Sequence, residues 1–205
     1  CALPIWPVVV VPLLEMSHYQ NVHILLMAKG FSLRGYEVIV IVCDEFLPAC
    51  ELKSNRSRHD SNPCFACTLN RTAYLDLFNL RCLTLSQVFT SIADPVKYGD
   101  EVMDRYDVDR EEIIRIVSDS VSRFYYGAEA LASEFDKARV RAEHMETAYI
   151  SIALGEILLK QYGPSICLNN MNVYSAWGPV FNFLESQGVF PVVISQSALN
   201  LSAIR

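Results

Sequence analysis

Two unbroken runs of β-branched and aliphatic residues, 8–14 (VVVVPLL) and 37–43 (EVIVIVC), constrain this chain more than any other feature. Neither run alternates apolar with polar residues, so neither suits a strand with one wet face; each reads as a strand buried on both sides of a parallel sheet. Between them the period changes. Ser17 is an N-cap candidate, Val22, Leu25, Leu26 and Leu33 recur at helical spacing, and Gly35 offers a C-terminal stop. The first 44 residues therefore read as a βαβ unit with a right-handed crossover.

The same grammar returns at the other end. Residues 165–168 form a short apolar strand that runs into the polar tip Asn169, Asn170, Met171, Asn172. A helix is expected from about 176–179 to Gln187, closed by Gly188, and 189–194 is again β-branched. In the middle, 80–85 reads as a third strand and 107–157 as mostly helix, with Ile113, Ile114, Val117 and Val121 on one stripe and Ala148, Ile152 and Ile157 on another. Asp109, with Glu111 and Glu112 behind it, dresses a helix start with favourable negative charge. The expected fold is α/β, a Rossmann-like three-layer α/β/α domain with a mostly parallel sheet, spanning residues 1–205 as one domain.

Composition narrows the function classes. The 205 residues carry a net charge of -6, which repels a phosphate backbone, so nucleic acid is not an expected partner. No apolar run approaches the roughly 20 residues of a bilayer span, and no signal peptide is legible, which leaves a cytoplasmic protein with at most peripheral membrane association as the expectation. The fingerprints of dinucleotide-binding, P-loop, zinc-protease and serine-hydrolase sites are absent.

Residues 47–71 break the pattern: apolar periodicity vanishes and Cys, Pro, Asn, Ser, Arg and His take over, reading as a long loop in need of a staple. Cys43, Cys50, Cys64 and Cys67 offer one, since Cys64 and Cys67 have the spacing that lets two thiolates reach one tetrahedral ion. A structural zinc, with His59 in reserve as a ligand, is one reading; a redox or disulfide pair and ordinary reduced thiols are the others. Three glycosylation sequons, at Asn55, Asn70 and Asn200, would matter only in a secretory compartment.

Two polar clusters fall where open α/β sheets bind ligands, at the carboxyl ends of strands. After the first strand come Ser17, His18, Tyr19, Gln20, Asn21 and His23; after the strand at 165–168 come Asn169, Asn170, Asn172, Tyr174, Ser175, Trp177 and Gly178. Amides and aromatic rings suit sugar hydroxyls and sugar faces, although each group is equally at home in cap and turn chemistry.

The stretch 8–44, VVVVPLLEMSHYQNVHILLMAKGFSLRGYEVIVIVCD, resembles the opening βαβ of GT-B glycosyltransferases, and 165–194, SICLNNMNVYSAWGPVFNFLESQGVFPVVI, resembles a later strand-helix-strand of the same N-terminal domain. CDEFLPACE, CFAC and SRFYYG are similar to segments of capsule and lipopolysaccharide biosynthesis proteins of that class. The resemblance implies an acceptor-binding half of a glycosyltransferase, working on a surface polysaccharide or glycolipid acceptor. It implies a separate C-terminal domain for the nucleotide-sugar donor, and activity only when the two are joined. On it, His18 or His23 would be the catalytic base, and Ser17, Tyr19, Asn21, Asn169, Asn170, Asn172, Tyr174 and Gly178 would contact the acceptor. The rival readings are a non-catalytic Rossmann-like binding module with a metal-stapled Cys loop, and a secreted binding domain carrying disulfides and glycans.

Overall fold

The computed structural model describes residues 7–14, 20–50, 53, 63–126, 128–197 and 200–204. Its centre is a six-stranded sheet: β1 (Val8–Leu13), β2 (Glu37–Val42), β3 (Arg81–Thr84), β4 (Ile166–Asn169), β5 (Phe190–Ser197) and β6 (Asn200–Ile204), in the order β3-β2-β1-β4-β5-β6. The first five run parallel, with Val10 opposite both Ile39 and Cys167 at the sheet's centre. β6 turns back antiparallel on β5, so the chain's last described residues form a hairpin edge beyond the closing βαβ.

Both faces of the sheet are covered, as the unbroken runs require. Val9, Val11 and Leu13 of β1 and Val38, Val40 and Val42 of β2 pack under α1 (Gln20–Leu33) and α2 (Pro63–Phe78). Val10, Ile39 and Ile41 point the other way, into a larger core formed with α4 (Pro95–Arg105), α5 (Arg110–Tyr125), α6 (Glu134–Tyr162) and α7 (Gly178–Ser186). Each strand thus supplies alternate side chains to two cores, and every fully buried Val or Ile contributes about 1.5–3 kcal/mol. The expected Rossmann-like three-layer α/β/α fold is the observed one.

Local chemistry sets the helix ends. α3 (Leu85–Val88) starts in a capping box, with Thr84 and Gln87 bonding each other's backbone N–H groups. The Asp94 side chain caps α4 with Pro95 in its first turn, Asp109 accepts from the N–H groups of Glu111 and Glu112 at α5, and Ser133 caps α6. α6 ends at Gly163 in the left-handed region (φ 52°). The predicted stripe on α5 is rotated by part of a turn: Ile113, Ile116, Val117 and Val121 are buried, while Ile114 is exposed.

The largest departure from expectation lies in residues 47–71. Instead of one long loop, residues 63–78 form α2, so Cys64 and Cys67 sit on its opening turns. Pro63 fits that start because a proline needs no N–H partner in a first helical turn. His59 and Asn55 lie outside the described residues, and Asn70 is on α2.

Candidate functional site

In a sheet of this order the chain leaves β1 toward β2 and β3, then returns on the other side of β1 as β4. The carboxyl ends of the strands flanking that reversal, β1 and β4, are the position where doubly wound sheets form a crevice for ligands. Asn169 and Asn170 end β4 and begin the loop after it, and Asn21 stands in the first turn of α1 beside them. All three are buried.

Their hydrogen bonds fix their orientation. The Asn169 side-chain oxygen accepts from the backbone N–H of Asn170 (2.8 Å) and Met171 (3.5 Å), closing an Asx turn. Asn170 Nδ2 donates to Asn21 Oδ1 at 3.0 Å, tying the end of β4 to the start of α1 across the crevice. Two buried polar atoms are left without partners: Asn169 Nδ2, a donor, and Asn170 Oδ1, an acceptor. Buried orphans of this kind cost about 1–3 kcal/mol each, and these two stand at the carboxyl end of β4, where doubly wound sheets take ligands.

The loop that follows is anchored from behind by α6 and α5. The Ser175 backbone N–H donates to Ser120 Oγ of α5 (2.8 Å), and Ser175 Oγ bonds His144 Nδ1 of α6 (2.8 Å). Ser151 Oγ donates to the Ala176 carbonyl (2.8 Å) and accepts from the Val180 N–H (3.1 Å). One turn up the same helix, Thr147 Oγ1 exchanges hydrogen bonds with both the N–H and the carbonyl of Ala49, in the loop after β2. His144 is 1% exposed and its Nε2 has no partner. Desolvation pulls its pKa down to about 4, so it is neutral near pH 7.

Further along α6, the buried carboxylate of Glu156 receives Arg105, Lys160 and the Tyr98 hydroxyl. Burial pushes its pKa up, but hydrogen bonds from Lys160, Tyr98 and Arg105 outweigh that and hold it below the usual carboxylate range. This cluster joins α4 to α6 and lies away from the strand ends.

The residues singled out from sequence divide accordingly. Asn21, Asn169 and Asn170 come together. Ser17, His18 and Tyr19 lie outside the described residues, and His23 is half-buried on α1. Asn172 is exposed, and Tyr174 is half-buried with its ring 6.5 Å from that of Trp177. Trp177 is itself core, 1% exposed, rather than a platform for a sugar ring. Gly178 is closely packed: a Cβ there would come to 3.0 Å from the Asn172 carbonyl oxygen and 3.2 Å from Ile116 Cδ1, so these neighbours would have to yield by a few tenths of an ångström. His144, Ser151 and Ser175 as a linked set escaped the sequence reading, because their partners lie 25 to 31 positions away and a histidine inside a helical run carries no local signal.

The zinc expectation is corrected. Among the described residues no group of three or more His, Cys, Asp or Glu side chains is arranged to hold a metal ion. Cys64 and Cys67 stand on a helix instead of in the tight turn of a metal knuckle. Nor, among the described residues, is any helix long and apolar enough to cross a membrane.

No protein-family model matches this chain, and no curated protein does. Among solved structures, a CDPS (cyclodipeptide synthase) from Fluoribacter dumoffii superposes with a TM-score of 0.57 at 9% sequence identity, over 91% of this chain and 89% of that one. The shared property is the fold. The CDPS likeness runs nearly end to end on both chains, which overturns the GT-B resemblance and, with it, the glycosyltransferase, capsule and lipopolysaccharide readings. The physical reason is plain: the βαβ segments that carried that resemblance are what any doubly wound sheet demands of its buried strands, so they identify an architecture and no chemistry.

Proposed function

We propose that this protein makes cyclodipeptides, joining two amino-acid units into a ring at the crevice between β1 and β4. The observation that carries the reading is the orphaned pair at the end of β4, the Asn169 Nδ2 donor and the Asn170 Oδ1 acceptor. In a cyclic dipeptide the ring holds each amide cis, so its N–H and C=O project from one edge. A fixed donor beside a fixed acceptor is the complement of that edge: Asn169 donates to the ring carbonyl and Asn170 accepts from the ring N–H.

The fold shared with a CDPS supports the assignment, because the crevice occupies the usual ligand position of such a sheet. Making the ring takes two amide bonds in turn, the first joining the two units and the second closing the ring, each by attack of an amine on an activated carbonyl with loss of the activating group. Groups that hold the nascent amide in its cis geometry lower the entropic part of that barrier. Seven cysteines, an odd number scattered through a long apolar chain, suit a reducing compartment, and we place the protein in the cytoplasm.

Expression of the chain in a bacterial host, with extracts and medium read by mass spectrometry, tests this directly. A cyclic dipeptide absent from the empty-vector control is the expected result. Asn170→Ala should lower its yield about tenfold per amount of folded protein, the worth of one hydrogen bond to a buried group; because the change also removes the bond to Asn21, the folded amount is read by circular dichroism. No such product, together with no binding of cyclic dipeptides to the purified protein by NMR, would overturn the proposal.

A further inference from the structure

A second site lies on the β2 side of the crevice. Cys43 just beyond β2, Cys50 in the following loop, and Cys64 and Cys67 on α2 line one small pocket with Leu14, Glu45, Leu47, Lys53 and Thr68. Four of the chain's seven cysteines thus meet around a space of about 10 Å³, room for roughly one water. A pocket so small encloses no organic ligand, and its thiols are not arranged to hold a metal ion. What it does bring together is sulfur with sulfur.

We infer that Cys64 and Cys67 are a thiol pair that is modified by low-molecular-weight disulfides and closes to an intramolecular disulfide. Three positions apart on one helix, their Cα atoms are about 5 Å apart, inside the range a disulfide spans. Both side chains are only partly buried, so a small reagent reaches them, whereas Cys167 in β4 is 1% exposed. They occupy the first turns of α2, where the helix dipole favours a thiolate.

A cation stands at the same pocket. Lys53 Nζ donates to the carbonyls of Leu47 (2.5 Å) and Pro48 (3.3 Å). Burial raises the Cys64 pKa, the Lys53 charge offsets part of that rise, and Glu45 adds to it. Lys53 is also tied to the cluster through its backbone N–H, 3.5 Å from Cys50 Sγ.

The chemistry balances with glutathione disulfide as the oxidant. The Cys64 thiolate attacks one sulfur of the reagent, forming a mixed disulfide and releasing one glutathione thiolate. The Cys67 thiolate then attacks Cys64 Sγ, forming the Cys64–Cys67 bond and releasing the second glutathione. Two protein thiols are oxidised, one glutathione disulfide is reduced to two thiols, and the two protons pass to solvent or to the departing thiolates.

The test uses the folded, reduced chain with glutathione disulfide, followed by intact-mass measurement and peptide mapping. The wild type should lose two hydrogens at Cys64 and Cys67 with no adduct retained. Cys67→Ser should instead hold one glutathione on Cys64, and Cys64→Ser should form no disulfide in this pair. Far-ultraviolet circular dichroism of each variant confirms that the sheet is intact. The inference is overturned if the wild type keeps a stable glutathione at Cys64, if the disulfide maps to Cys43 or Cys50, or if Cys64 and Cys67 react no faster than buried Cys167. None of these outcomes depends on whether the crevice makes a cyclodipeptide.

Discussion

Gly99→Ala is expected to destabilise the protein by about 3 kcal/mol or more, the largest effect of adding a single methyl group. Gly99 lies on α4 where that helix crosses α6, and a Cβ there would stand 2.1 Å from the backbone carbonyl oxygen of Tyr149 and 2.6 Å from its carbon. The obstacle is main chain in the middle of a 29-residue helix, so it cannot step aside as a side chain can. Alanine's better helix propensity returns only about 1 kcal/mol, too little to offset a forced separation of two packed helices.

Gly155→Ala provides the control. There the added Cβ would meet the Phe183 ring, 2.6 Å from its Cδ1, and a ring can rotate away. About 1–2 kcal/mol is expected for that change. Urea unfolding of both variants measures the contrast, and a Gly99→Ala protein within 1 kcal/mol of the wild type would show that α4 and α6 do not cross this closely.

The second large effect is a pH dependence. His144 has its pKa lowered to about 4 in the folded protein from an ordinary value of 6.5, the cause being burial. Between those values the unfolded chain binds a proton that the folded chain refuses, so stability is full above about pH 6.5 and falls as the pH drops toward 4. The drop integrates to at most about 3 kcal/mol.

The groups against the ring are uncharged: Ser175 Oγ on Nδ1 and the Phe124 ring at 6.4 Å. Carboxylates such as Glu112 and Glu156, whose pKa values are held low, also lose stabilisation as the pH falls, but they do so in any His144 variant. The difference between wild type and His144→Gln therefore isolates the histidine. Unfolding free energies from pH 4 to 7 should converge for the two proteins as the pH falls, and parallel curves would remove His144 as the source.

Much of the architecture is legible in the chain because burial on both faces leaves a simple mark. Val8 to Val11 and Val38 to Val42 carry no polar residue, and the structure gives alternate members to two different cores. Residues 63–78 were illegible for the opposite reason: a helix that opens Pro-Cys-Phe-Ala-Cys-Thr has neither a clean stripe nor strong formers, and its packing against α1 decides the matter. The candidate site was half legible. Position after a strand pointed to Asn169 and Asn170, but the bond from Asn170 to Asn21 spans 149 residues, and no spacing rule reports a contact of that range. The same simplicity that reveals the strands also misled the family resemblance, since every doubly wound sheet writes its central strands alike.

The hydrogen bonds along one side of α6 give the crevice a mechanical character. Thr147 grips the loop after β2 at Ala49, while His144 and Ser151 grip the loop after β4 at Ser175 and Ala176 and the first turn of α7 at Val180. Three consecutive turns of a single rod thus hold the loops after β2 and β4 at one spacing. A guest too wide for the proposed site would have to strain that rod or break its bonds, so the width of the site is held from behind by a helix at its back.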